Sequence, residues 1–325
     1  GSSVTTAESV TSPEHEARHA RSHSRDADFP IVGIGCSAGG LEALEALLSH
    51  VPADSGMAFV VVQHLDPQHA SNLPELLQRA TQMHVVEADE RMAVEPDSVY
   101  VIPPNKDLSL LRGVLHLLDP TEKRGLRLPI DFFLRTLADD LQDKAIGVVL
   151  SGMGSDGMLG LGAIKEKGGL TVAQDPASAK ADSMPGSAIK AGVVDIIAPA
   201  EEVAARIAAY LRHAPPDISA SSRPEPGEQS ALERIIVLLR NRTGNDLSLY
   251  KPSTLYRRIE RRIALLQISG IAKYVVYLRD NPQELDLLFK ELLIGVTNFF
   301  RDPSVWDFLR DTAIPALLAR HPEGK

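Results

Sequence analysis

Three short stretches hold side chains whose types suit a shared reaction: Cys36 and Ser37 inside "GIGCSAGG", His64 in "QHLDP", and Asp156 in "SGMGSDG". A serine hydroxyl becomes a strong nucleophile when an imidazole removes its proton. A carboxylate behind the imidazole fixes the tautomer and steadies its charged form. Ser37, His64 and Asp156 thus read as nucleophile, base and orienting acid for acyl transfer. Ser37 also precedes a helix-like repeat, "LEALEALL", and the first N–H groups of a helix lack intrahelical acceptors, which suits an oxyanion. Each residue has a plainer use as well: a helix cap, a strand-closing side chain, a turn residue. Their joint occurrence after apolar, strand-like runs favours the catalytic reading.

Two rivals for the glycine run stay open. Gly33, Gly35 and Gly39 spell G-x-G-x-x-x-G, one residue longer than the dinucleotide fingerprint. The next strand ends on Gln63 and His64, with Asp66 beyond, where a ribose-binding acid belongs. Cys36 shares the helix start with Ser37 and is a second candidate nucleophile.

Such loops meet only if the elements before them lie side by side. "IVGIG", "AFVVVQ", "SVYVIP", "AIGVVLS", "LTVAQD" and "VVDIIA" predict strands, several apolar throughout, as buried parallel strands are. Between them "LEALEALLSH", "LPELLQRA", "PIDFFLRTLADDLQ" and "MLGLGAIKEKG" predict helices. The alternation predicts an α/β domain over residues 29–212: a mostly parallel sheet with helices on both faces, its chemistry at the carboxyl ends of the strands. "LSLLRGVLHLL" predicts a hairpin turning at Arg112–Gly113.

Around this domain the composition changes. Residues 1–28 are polar and are expected to be a disordered tail. His15, His19 and His23, four apart, suit a metal stripe on a helix, but a solvated tail is the better reading. Residues 213–229, rich in Pro, Ser and charge, predict a linker, and 230–325 a small all-α domain. There "ALERIIVLLRNRTG" puts Leu232, Ile235, Ile236 and Leu239 on one face and stops at a glycine. "STLYRRIERRIALLQISG" starts with a capping residue, aligns Leu255, Ile259, Ile263 and Leu266, and also stops at a glycine. Arg257, Arg258, Arg261 and Arg262 form a basic stripe beside that apolar face; a solvated face is the default, and arginines of this kind also pair well with carboxylates.

The 325 residues carry a formal net charge of −9, which argues against wholesale nucleic-acid binding. A single cysteine excludes an internal disulfide framework and a cysteine-rich zinc site, and fits a reducing cytoplasm. No apolar run approaches the roughly 20 residues of a membrane-spanning helix, so no membrane insertion is expected.

"IVGIGCSAGGLEAL", "VVQHLDP", "VYVIPPNKDL", "IGVVLSGMGSDGMLGL" and "QDPASAKADSMPGSAI" resemble, in order, the catalytic domain of the chemotaxis receptor methylesterase (CheB type). The resemblance implies Ser37 as nucleophile, His64 as base and Asp156 as its orienting partner, with oxyanion donors on the backbone of Ala38 and Met153. It implies hydrolysis of glutamyl methyl esters, and deamidation of glutamine, on methyl-accepting receptor helices, with no cofactor. Three features depart from the family: Ala38 stands where threonine is common, Leu126 where histidine is common, and 28 leading residues are too few for a receiver domain. Phosphorylation control within the chain is therefore not expected.

"TGNDLSLYKPSTLYRRIERRIALLQI" and "LLIGVTNFFRDPSVWDFL" are similar to the N-terminal helical domain of the chemotaxis receptor methyltransferase (CheR type). That resemblance implies receptor contact by the arginine helix, and contact of Thr297 and Arg301 with S-adenosylmethionine. Both cofactor residues are expected to be idle, because the family's glycine-rich motif lies in a following domain that the sequence does not reach. S-adenosylmethionine is thus expected only for a longer, bifunctional parent. The competing expectation is a catalytically silent receptor-binding scaffold. Docking of the helical domain on the esterase is a further expectation.

Overall fold

The computed structural model describes residues 29–63, 72–120, 127–214, 226–293 and 309–314. In chain order the first half contains β1 (Ile31–Cys36), α1 (Gly40–Leu48), β2 (Ala58–Gln63), α2 (Leu73–Ala80), β3 (His84–Glu87), β4 (Met92–Ala93), β5 (Ser98–Val101), β6 (Asp107–Leu111) and β7 (Val114–Leu118). Then come α3 (Pro129–Leu141), β8 (Ala145–Val149), α4 (Met158–Lys167), β9 (Leu170–Gln174), α5 (Ser183–Lys190), β10 (Ile196–Ala198) and α6 (Ala200–His213). The strands order as β10-β9-β8-β1-β2-β5-β3, and every pairing in this sheet is parallel.

The apolar runs occupy the middle of that sheet because both of its faces are covered. One face, with Val32, Ile34 and Cys36, packs on α1, α2 and α6, while the other packs on α3, α4 and α5. Gly33 and Gly35 lie on β1 where α3 crosses it: a side chain there would overlap Leu134 and Leu137 at Gly33, and Ile130 at Gly35. These glycines let a helix approach the strand. The hairpin forms as expected, with Arg112 and Gly113 both at positive φ and their N–H groups donating to the Asp140 carboxylate at 2.5 and 2.9 Å.

The helical part comprises α7 (Pro226–Thr243), α8 (Pro252–Leu265), α9 (Ile271–Asp280) and α10 (Pro282–Leu293). Leu232, Ile235, Leu239, Leu255, Ile259 and Ile263 are buried in one core, as their spacing predicts, with Ile236 and Leu266 at its edge. Three local details differ. Helix α7 starts at Pro226, inside the predicted linker, because a proline is tolerated in a helix's first turn, where N–H groups go unused. Helix α8 starts at Pro252 with Lys251 as N-cap and no side-chain cap. Gly270 does not stop α8; Gln267 takes the left-handed conformation after it, and Gly270 is the N-cap of α9.

Candidate active site

β8, β1 and β2 are neighbours, so the loops leaving their carboxyl ends emerge side by side. Ser37 follows β1 directly. Its N–H donates to the Ser151 carbonyl at 3.0 Å, and its carbonyl accepts from the Gly40 N–H at 2.9 Å, closing a turn through Gly39 at φ 71° into α1. Gln63, the last residue of β2, pairs in register with Cys36. His64 is the next residue and lies outside the described residues, as do Asp66, Leu126, Thr297, Arg301 and the histidines of the leading segment.

Ser151, in the loop after β8, is fully buried and ties the site together. Its Oγ donates to the Ala38 carbonyl at 2.9 Å and accepts from the Ala181 N–H at 2.9 Å, while its own N–H donates to Gln174 Oε1 at 2.9 Å. Sequence reasoning passed over this serine. Its position directly after an apolar strand, matching that of Ser37, was the available signal. Further along the loop, the Gly154 N–H donates to Ser183 Oγ at 3.1 Å, and the Met184 N–H to the Gly152 carbonyl at 3.0 Å. The main-chain N–H groups of Ala38 and Met153 donate to no described residue, and both residues are exposed.

Asp156 is 3% exposed, and its position is set by two helices. Oδ1 accepts from the N–H groups of Asp131 at 2.8 Å and Gly157 at 2.9 Å; Oδ2 accepts from Ile130 at 3.1 Å. The carboxylate therefore sits on the first turn of α3, where helix N–H groups lack partners and favour a negative charge. Asp131 reciprocates, accepting from the Gly160 N–H in the first turn of α4 at 2.7 Å. Asp156 thus serves the first turn of α3, and Asp131 the first turn of α4. Burial pushes the Asp131 carboxyl pKa up, the charge on Asp156 adds to this, and the bond from Gly160 opposes it.

The rivals for the glycine run fit less well. The Cys36 thiol is fully buried and burial pushes its pKa to about 12, so a reactive thiolate is disfavoured there. Gly33 and Gly35 face protein side chains, and a side chain at Gly39 or Gly40 would meet Lys180 or Cys36, so no open phosphate cradle remains. S-adenosylmethionine fares no better. The described residues of 226–293 are helical with short connections and hold no strand–glycine–helix turn, so they do not fit that cofactor. Among the described residues no group of three or more His, Cys, Asp or Glu is placed to hold a metal, and no helix is long and apolar enough to cross a membrane.

The arginine stripe needs a correction as a receptor-facing surface, because three of its four members are engaged within the chain. Arg258 Nη1 donates to the Glu291 carbonyl at 2.8 Å, and Arg262 forms a fork on Glu284 at 2.8 and 2.7 Å. Arg261, 3% exposed, donates to the carbonyls of Gly168 and Gly169 at 3.1 and 2.7 Å and to Glu291 at 2.5 Å, and it also pairs with Asp195. Arg257 alone stays partly exposed without such a bond among the described residues. The spacing identified the stripe, but sequence could not show that carboxylates from other segments fold against it.

A doubly covered parallel sheet, with a serine loop and a buried aspartate at adjacent strand ends, defines an open α/β domain whose polar loops gather at the carboxyl ends of its strands. The CheB methylesterase family profile matches residues 32–207, and that of the CheR methyltransferase all-alpha domain matches 230–293. The chain belongs to the CheB methylesterase family, a family of carboxylic ester hydrolases, and carries a CheR-type helical domain behind the esterase domain. A putative protein-glutamate methylesterase/protein-glutamine glutaminase of Leptospira interrogans is 35% identical over 178 residues, covering 54% of this chain and 92% of that protein. A Burkholderia lata protein-glutamate methylesterase/protein-glutamine glutaminase is 40% identical over 54% of this chain and 52% of its own length. An uncharacterized 104.1 kDa protein of Rhodobacter capsulatus is 36% identical over 275 residues, 78% of this chain but 29% of that protein. The chain thus spans under a third of one relative and about half of another. The crystal structure of the Thermotoga maritima CheB methylesterase catalytic domain superposes with a TM-score of 0.52 at 31% identity, covering 55% of this chain and 97% of that one.

Proposed function

We propose that the chain is a protein-glutamate methylesterase that also deamidates glutamine, acting on helices of chemotaxis-type receptors in the cytoplasm. Ser37 Oγ attacks the ester carbonyl while His64 takes its proton. The tetrahedral oxyanion lies against the N–H groups of Ala38 and Met153. Collapse breaks the C–O bond to methanol, which leaves with the proton held by His64. Water then attacks the acyl-serine through the same base, releasing a glutamate carboxylate and restoring Ser37. With a glutamine side chain the first leaving group is ammonia. Asp156 serves to fix the imidazole tautomer and to steady its charged form.

The observation that carries this reading is the seating of Asp156 on the first turn of α3, one strand away from a serine held at a strand end. A methylated receptor fragment incubated with the chain tests it. Methanol release is expected, and equal release with and without the chain overturns the proposal. A longer parent chain, with the methyltransferase's second domain attached, would place both activities at high effective concentration near one receptor.

A further inference from the structure

The arginines of α8 raise a separate question: what a buried cluster of charges does between two domains. Arg261 lies on α8, yet its guanidinium reaches two carbonyls, at Gly168 and Gly169, and one carboxylate, Asp195, that all belong to the α/β domain. Asp195 in turn accepts from Lys165 Nζ at 2.7 Å and from Thr171 N–H and Oγ at 3.0 and 2.7 Å. Glu291, from α10, completes the group on the helical side. Arg261 and Lys165 balance Asp195 and Glu291, two charges of each sign, and none of the four side chains is more than 10% exposed. Beside this cluster the Ala264 side chain is fully buried in the core of the α/β domain together with Tyr210 of α6, and Leu265 packs against the same core. A planar five-donor fork that satisfies two carbonyls and two carboxylates at once tolerates little displacement.

The location matters as much as the chemistry. Gly168 and Gly169 lie just before β9, at the amino ends of the strands, whereas Ser37 and Asp156 follow carboxyl ends. The two ends of a five-residue strand are about 17 Å apart. We infer that α8 fastens the helical domain to the amino-end side of the esterase sheet through Arg261, so that the two domains hold together as one body, secured at the opposite end of the sheet from the Ser37 loop. Three arginines of the stripe then serve assembly within the chain, and receptor contact by the helical domain has to use residues other than Arg258, Arg261 and Arg262.

A protease recognition site inserted within residues 214–225 of the full chain tests this without reference to esterase activity. After cleavage, the two wild-type fragments are expected to elute together in gel filtration at the volume of the intact chain. The Arg261→Met fragments are expected to separate, with their association weakened at least tenfold. Arg242→Ala, which removes an exposed pair with Asp286 inside the helical domain, should leave the fragments together. Should Arg261→Met fail to fold, Arg261→Lys, which keeps the charge and loses the fork, takes its place with the same expectation. Separation of the wild-type fragments, or retention of the Arg261 variant's fragments at wild-type strength, overturns the inference.

Discussion

At the scale of single residues, Ser151 and Gly152 show how much of the site is support for Ser37. Removing the Ser151 hydroxyl leaves the Ala38 carbonyl and the Ala181 N–H without their buried partner. Unmade buried hydrogen bonds cost about 1–3 kcal/mol, so Ser151→Ala should lower stability in urea titrations by that amount. Because the lost bond holds the Ser37–Gly39 turn, kcat should fall with little change in KM. A side chain at Gly152 would approach Ser37 Cβ to 3.0 Å and crowd the end of Met184. Gly152→Ala is therefore expected to reduce kcat strongly while the flexible Met184 yields, a pattern readable from kinetics beside a thermal melt. Asp156→Asn leaves one oxygen for three backbone donors and turns its NH2 either on the Ile130 N–H or on those of Asp131 and Gly157, so it should reduce both kcat and stability.

At the scale of elements, the sequence was most informative where a pattern was repeated and least where a partner came from far away. Six strand runs and the helix faces of α7 and α8 were readable because continuous or periodic apolar residues leave few alternatives for burial. β3 escaped notice because four residues at the sheet edge, half of them exposed, carry almost no pattern. α5 was hidden by Pro185 and Gly186 inside "SMPGSAIK", although a proline in the first turn does not break a helix. The strand ends carrying Ser37 and Asp156 were legible for the same reason as the strands. The reciprocal capping by Asp131 was not, because it joins first turns 25 residues or more apart. The fork between Arg262 and Glu284, which also accepts from the Tyr274 hydroxyl at 2.8 Å, is the element-scale test. Arg262→Ala strands a nearly buried carboxylate between α8 and α10, and breaking such a pair costs about 3–5 kcal/mol. A loss of that order in the unfolding free energy of the helical domain is expected from denaturant titration, without loss of esterase turnover.

At the scale of the whole molecule, the junction between the domains should respond to pH. Burial pushes the Asp195 carboxyl pKa up, but the charges of Arg261 and Lys165 outweigh it and hold the folded value below the usual carboxylate range. The unfolded chain therefore takes up this proton first as pH falls. The stabilisation is complete above the ordinary aspartate value of about 4 and fades as pH drops below it towards the folded value. Unfolding free energies measured between neutrality and pH 3 should show this acid-side loss, and Arg261→Met should reduce it. The esterase proposal itself stands on three loops acting as one unit, and the sharpest test is whether their losses combine. Side chains of one catalytic unit are non-additive, so Ser37→Ala and the double variant Ser37→Ala/Asp156→Asn should retain the same residual methanol release within a few-fold. Losses that multiply in the double variant, or a Ser37→Ala protein with wild-type turnover, would contradict the account.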